Sequence, residues 1–354
     1  MISNPLVTAL ICNYNYGRYL AEAIESTLNQ TWKNLEIIVV DDGSTDESRE
    51  VLKKYEGKIR TILKENGGQA SAFNAGIAEA RGEITCFLDS DDYWYPEKVE
   101  KTVAKFKEAS YGLVCNDLQE VNELGIKISN QTYCQSHKLF FQHRDLLEFI
   151  IEREFIWAFS PTSGISLPTS IAKKLLPLPE KEWRICADNP IAYGALCHAP
   201  IGVIKEPLGA YRYHGANCYA SVIKNSVSLR LSNFITQIKS YLFLTDYLSC
   251  LGRTERPKEP KSSYRFYRTL CFITRESPWR YLFNLWKLNI VYHNIHKKYV
   301  NNPRLTTAWF LLLDTILVLL TIIKLPTPYR SLQKLYRQEI LSFDSRVRDY
   351  IESD

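Results

Sequence analysis

The stretch ITCFLDSDDYWYP, Ile84 to Pro96, constrains the chain more than any other. Its apolar, β-branched start stops at three carboxylates, Asp89, Asp91 and Asp92, the pattern of a buried parallel strand delivering acids to the carboxyl edge of a sheet. Open α/β sheets bind ligands at that edge. Two acids at i and i+2 leaving a strand can converge on one hard divalent cation, whose remaining shell substrate phosphates then complete. A metal-bridged nucleoside diphosphate is one reading. The other is local: Asp91 and Asp92 cap a helix starting near Pro96. The residues alone leave both open.

The flanking sequence supplies the sheet. Leu6 to Cys12 reads as a strand, Asn13 to Gly17 as a loop, and Arg18 to Gln30 as a helix with Leu20, Ala23, Ile24, Thr27 and Leu28 on one face. Leu35 to Val40 is a second strand ending at Asp41 and Asp42, and Ser44 with Glu47 predicts a capping box for the next helix. Ile59 to Leu63, Gln69 to Ala80 and Ile84 to Leu88 continue the rhythm as strand, helix and strand. The expectation is an α/β, doubly wound, mostly parallel sheet with helices on both faces, its polar loops sharing one rim with Asp89. There is no G-x-G-x-x-G after the first strand and no G-x-x-x-x-G-K-[ST], which disfavours dinucleotide binding and a P-loop. Phosphates bound here would need a metal and side chains.

In order, ICNYNYGRYLAEAIESTLNQT, EIIVVDDGSTDES, KENGGQASAFNAGIAEARGE and FLDSDDYWYPEKVE resemble the nucleotide-binding half of the family-2 inverting glycosyltransferases, which have the GT-A fold. The resemblance implies a nucleotide-sugar donor, with UDP-sugar favoured, and Mn2+ or Mg2+. It also implies that Tyr14 stacks on the base, that Asp42 accepts its imide hydrogen, that Asp89 touches the ribose or the metal, and that Asp91 is the principal metal ligand. Cys12 departs from the family, which usually has Thr or Pro there, and leaves the base less certain. Read from the residues, Asp41 and Asp42 are also ordinary turn formers and Tyr14 also packs over a strand edge. Asn74 and Gly76 fall inside a helix, where Gly costs roughly 1 kcal/mol relative to Ala, so close packing or approach to ligand is expected there; Asn74 is a donor-site candidate.

The middle of the chain carries the acceptor side. Glu97 to Lys107 reads as a helix and Gly112 to Asp117 as a strand, after which Gln119 to Gln142 weakens into polar segments expected to form loops over an acceptor. In EWRICADNPIAYGAL, Asp188 precedes a helix, and its spacing alone favours a cap. The resemblance instead makes Asp188 the general base, with Glu182 as the fallback. Ile201 to Ile204 is a last short strand. Tyr211-Arg212-Tyr213-His214-Gly215-x-Asn217 then resembles the segment that closes the family's catalytic domain over the diphosphate, with Arg212 on the donor and His214 on the cation or a phosphate. By alternation alone, Arg212 points outward from an edge strand. The resemblance ends here, giving a catalytic domain over 1–220, with a donor half over 1–105 and an acceptor half over 106–220.

Composition bears on the rest. The 354 residues, 45% apolar, hold a large core, and nine cysteines with no C-x-x-C pair argue for a reducing compartment over a disulfide framework. The N-terminus has no basic region before a long apolar run, so no signal peptide is expected and the catalytic part should face the cytoplasm. Residues 221–354 read as a helical, basic, membrane-associated extension. Gly252 to Arg304 carries twelve Lys and Arg against three Glu, interleaved with aromatics, yet no nucleic-acid signature accompanies them and no nucleic-acid partner is expected. Ala308 to Pro326 is apolar but short for a span and contains Asp314, which favours an interfacial or re-entrant helix over one buried in a helical domain. A final amphipathic helix is expected over Leu332 to Tyr350. The functional expectation is sugar transfer to a glycan or lipid-linked acceptor at a membrane surface, with a non-catalytic nucleotide-sugar-binding scaffold or sensor as the alternative.

Overall fold

The computed structural model describes residues 4–137, 139, 146–152, 157–215, 217, 227–255 and 257. Strand β1 (Val7–Asn13) is apolar throughout because its alternate residues feed two cores: Val7, Ala9 and Ile11 pack on one side of the sheet and Leu10 on the other. Helix α1 (Gly17–Leu28) buries Leu20, Ala23, Ile24 and Thr27, one stripe at helical spacing. The chain continues through β2 (Leu35–Asp41), α2 (Ser48–Lys53), β3 (Arg60–Leu63), α3 (Gln69–Glu79), β4 (Ile84–Asp89), the two-residue β5 (Tyr93–Trp94) and α4 (Lys98–Glu108). Next come β6 (Leu113–Val121), β7 (Lys127–Thr132), α5 (Tyr133–Ser136), α6 (Leu146–Glu152), β8 (Ile165–Pro168), α7 (Thr169–Lys174), α8 (Asp188–Leu196), β9 (Ile201–Arg212) and α9 (Val227–Cys250).

The strands order as β3-β2-β1-β4-β8-β6-β9-β5, with β7 paired to β6. Pairing is parallel among β3, β2, β1 and β4 and between β6 and β9, while β8 sits antiparallel between β4 and β6. Among the described residues, six strands therefore run one way, and β5, β7 and β8 oppose them. Helices α1, α2 and α4 cover one face with Leu20, Ile24, Leu52, Val99, Val103 and Phe106. Helices α3, α6, α7 and α8 cover the other through Phe73, Ile77, Ile150, Ala172 and Ile191.

Gly76 on α3 is explained by packing. A Cβ there would lie 2.2 Å from Leu10 Cδ1 and 3.1 Å from Val40 Cγ2, both buried in the sheet beneath the helix. Gly76→Ala is expected to lower unfolding stability by about 1–3 kcal/mol through overpacking; denaturant titration checks this, and an unchanged midpoint would mean that the helix can lift off the sheet without cost.

Three local expectations are corrected. Ser44 caps no helix: α2 starts at Ser48, and the Ser44 hydroxyl instead accepts the Asn13 side-chain amide (3.1 Å) and the Asn15 backbone N–H (2.9 Å). Residues after Gln119 are not all loop, because β6 runs to Val121 and β7 returns from a turn at Gly125 whose φ of +76° suits glycine. The last strand runs on from Ile204 to Arg212, past Pro207, with register shifts that absorb the interruption.

The chain divides into two units, Met1–Ala220 with Ser240–Lys258, and Ser221–Lys239 with Glu259–Asp354. Among the described residues, no helix is long and apolar enough to cross a membrane. The apolar run Ala308–Pro326, the helix expected over Leu332–Tyr350 and nearly all of the basic stretch 252–304 lie outside the described residues.

Candidate active site

Register builds the rim. Cys12 pairs with Asp89 across β1 and β4, and Asn13 with Asp41 across β1 and β2, so the loops that leave these strands open side by side. Asp41 is fully buried and accepts the Asn13 side-chain amide (2.9 Å) and the Ser44 N–H (3.3 Å), the anchoring work of a turn residue. Its neighbour differs. Asp42 accepts Lys64 Nζ at 2.7 Å and the backbone N–H groups of Gly67 and Gly68 at 3.0 and 2.6 Å, folding the 64–68 loop onto the rim. The Cys12 thiol is pushed up by burial and by the charges of Asp89 and Asp42, which places it between the two acids' fields. Tyr14, beyond the end of β1, is 46% exposed.

At the end of β4, Asp89, Asp91 and Asp92 each offer a carboxylate oxygen within 4.8 Å of the others. The first residue of α4 is Lys98 and its cap is Glu97, so neither Asp91 nor Asp92 serves as the helix cap. Asp91 Oδ2 lies 2.8 Å from His214 Nε2 and accepts the Asn217 side-chain amide at 3.3 Å. Asp92 accepts the Arg212 backbone N–H (2.8 Å) and the Ser163 hydroxyl (2.6 Å). Burial and then the charge on Asp91 push the carboxyls of both Asp89 and Asp92 well above the usual range. Three hard oxygen donors that destabilise one another's charge fit a divalent cation, which would relieve that repulsion.

Asp188 lies across from this cluster. It is the first residue of α8, Ala187 is the cap, and no side chain caps the helix. The Asp188 carboxylate accepts the Asn189 backbone N–H at 3.1 Å and side-chain amide at 3.2 Å, its own backbone N–H, and the hydroxyl of Thr162. Burial pushes its carboxyl up to about 6, and its charge in turn raises Asp89. Cys186, two residues earlier, takes a left-handed φ of +61°, uncommon for a side chain of that kind.

Gln69 ties the two acids together. Its side-chain amide reaches Asp89 Oδ1 (3.5 Å) and Thr162 Oγ1 (3.4 Å), while its carbonyl oxygen accepts the Ala187 N–H at 2.8 Å, next to Asp188. Arg212 is 2% exposed, against the outward reading, because the rings of Tyr19 and Tyr93 and the carboxylate of Glu22 cover its guanidinium. Its guanidinium donates to the Asp91 and Glu123 carbonyls (2.7 and 3.0 Å) and to Glu22, and lies over the rings of Tyr19 and Tyr93. Asn74 exchanges bonds with the backbone of Leu178 (3.0 and 2.8 Å), which pins the loop before α8, and Glu182 is exposed.

Residues 8–160 match Glycosyl transferase family 2. An uncharacterized glycosyltransferase from Nostoc is 39% identical over 219 residues, covering 61% of this chain and 67% of that protein. The chain belongs to glycosyltransferase family 2. A second relative, an uncharacterized glycosyltransferase of Rickettsia prowazekii, is 47% identical over 102 residues, 29% of this chain and 32% of its own, so the transferase spans about a third of that relative's length. Among solved structures, the mannosyltransferase PcManGT from Pyrobaculum calidifontis, in complex with GDP-Man and Mn2+, superposes with a TM-score of 0.50 at 15% identity, covering 98% of this chain and 88% of that one. That likeness is one of fold. The transferase has the GT-A architecture of a mixed, mostly parallel sheet with helices on both faces.

Three residues of the candidate site escape a reading of the sequence by local pattern, and a fourth does not. Gln69, Ser163 and Glu22 act through contacts made across long stretches of chain. Asn217 alone had a signal, since it ends the segment that begins at Tyr211, and here it accompanies His214 onto Asp91.

Proposed function

We propose that the transferase inverts the anomeric centre while moving a sugar from a nucleoside-diphosphate sugar, UDP-sugar first among the candidates, to a glycan or lipid-linked acceptor. The observation that carries the proposal is the separation of roles between two acid sites joined by Gln69 and Thr162: a crowded cluster that suits a cation, and a lone carboxylate whose pKa of about 6 suits a base. Asp91 and Asp89, with His214, would hold Mn2+ or Mg2+, which when bound offsets the charge of a departing diphosphate. Tyr14 has an exposed ring to stack on the base. Asp42 has three donors where a carboxylate accepts about four, which leaves room for one imide hydrogen. Arg212 and Asn74 serve the donor site by holding the acid turn and the 178–180 loop. Asp188 takes the proton of the acceptor hydroxyl as that oxygen attacks.

A screen of the full chain with UDP-, GDP- and TDP-sugars in Mn2+ or Mg2+, reading nucleoside diphosphate release and product, tests this directly. Binding without transfer across acceptors would favour the scaffold or sensor. The sign of the pH dependence is fixed by the base. Asp188 must be unprotonated, so the transfer rate is expected to rise with pH through about 6 and level off above it. A rate that falls over that interval would remove Asp188 from the role.

Of the expected 221–354 extension, we further place the second unit, Ser221–Lys239 with Glu259–Asp354, at the cytoplasmic face of a membrane as a peripheral or monotopic segment, on the strength of the basic, aromatic stretch before the Ala308–Pro326 run. Full-length protein is then expected to pellet with anionic vesicles, resist release by high salt and come off in detergent. Protein that stays in the supernatant with and without lipid would refute the membrane assignment.

A further inference from the structure

Ser163 lies in a single 3-10 turn, Thr162–Gly164, immediately before β8, and is fully buried. Its hydroxyl accepts the Asp89 backbone N–H at 3.1 Å and donates to Asp92 Oδ2 at 2.6 Å, so one oxygen ties both ends of the acid turn. The turn itself is tightly seated. A Cβ on Gly164 would stand 2.1 Å from Ser160 Oγ and 2.6 Å from the Asn116 carbonyl oxygen. Behind it lies Lys98, which is completely buried although it carries an ammonium group. The Lys98 Nζ sits 4.2 Å from the Trp94 ring and donates to Ser166 Oγ at 2.8 Å. The Trp94 indole N–H in turn donates to the Ser163 carbonyl at 2.9 Å. Lys98 therefore grips the Ser163–Ser166 segment twice, once through the indole and once through the Ser166 hydroxyl.

Placing an ammonium in a core is costly, and replacing it with an apolar side chain is often neutral for stability. Its position here coincides with the one segment whose hydroxyl sets the spacing of Asp89 and Asp92. We propose that Ser163 is a positioning residue for the cation site, held from the core by Trp94 and Lys98, because it fixes both ends of the turn that carries Asp89 and Asp91; this rests on the reading of Asp89 and Asp91, with His214, as cation-binding. Outer partners of this kind orient ligands that must converge on one ion, and losing them weakens metal affinity by about 10–100-fold.

The test is Mn2+ titration of the full chain, without donor, followed by the electron paramagnetic resonance signal of free Mn2+. Ser163→Ala is expected to weaken Mn2+ binding by about 10-fold or more, and Trp94→Phe and Lys98→Met to weaken it in the same direction by less. A double-mutant cycle separates positioning from packing: in an Asp92→Asn background the loss caused by Ser163→Ala should shrink, because the bond it removes is already altered. Wild-type Mn2+ affinity in Ser163→Ala, or an undiminished loss in the Asp92→Asn background, would overturn the proposal. A wild-type chain that binds no Mn2+ either alone or with UDP present would instead overturn the cation reading beneath it.

Discussion

Asp188→Asn is expected to leave donor binding close to normal and to lower the rate of sugar transfer by about 10²-fold or more, the scale of a positioned general base. The substitution keeps the shape of the side chain and its neighbours on α8. It removes a carboxylate whose pKa burial pushes up to about 6. Because the charge of Asp188 also reaches Asp89, its loss should leave cation binding equal or slightly weaker. The two effects differ widely in size, which separates a base from a structural acid. Transfer at the wild-type rate would take Asp188 out of the mechanism, and a loss of donor binding equal to the loss of rate would assign it to the donor site.

Asp91→Asn is expected to abolish cation-dependent nucleoside-diphosphate binding while leaving the fold intact. The reason is charge at one atom: Asp91 Oδ2 gathers His214 and Asn217 from the segment after β9, so it organises the far wall of the site as well as offering a ligand oxygen. An amide in its place keeps the shape but carries no charge to anchor a cation. Calorimetric titration with Mn2+ and UDP checks this. Unchanged binding would mean that Asp89 and Asp92 suffice as ligands and that Asp91 only docks the His214 segment.

What the sequence reveals follows from how locally each feature is encoded. The strand β4 and its acids are legible because burial on both faces leaves an unbroken apolar run, and the carboxylates that end it cannot belong to the same core. Helix α8 is legible in the same way, from Asp-Asn-Pro followed by an apolar run. Strand β9 is legible only to Ile204, since Pro207 lacks an N–H and breaks the alternation that would have carried the pattern on to Arg212. Strand β6 hides its end differently: Gln119 and Glu120 are buried, and their polarity reads as loop. The contacts of Gln69 with Thr162, and of Ser163 with Asp89, join residues 93 and 74 positions apart, so no window of sequence contains them.

The proposed function requires a divalent cation on the acid cluster to mediate donor binding. The measurement closest to it is calorimetric titration of the wild-type chain with UDP, GDP and TDP, each in Mn2+ and again in excess EDTA. At least one nucleotide is expected to bind in Mn2+ and to lose that binding in EDTA, with Asp91→Asn reproducing the EDTA result in the presence of the ion. Equal affinity with and without the cation would contradict the account.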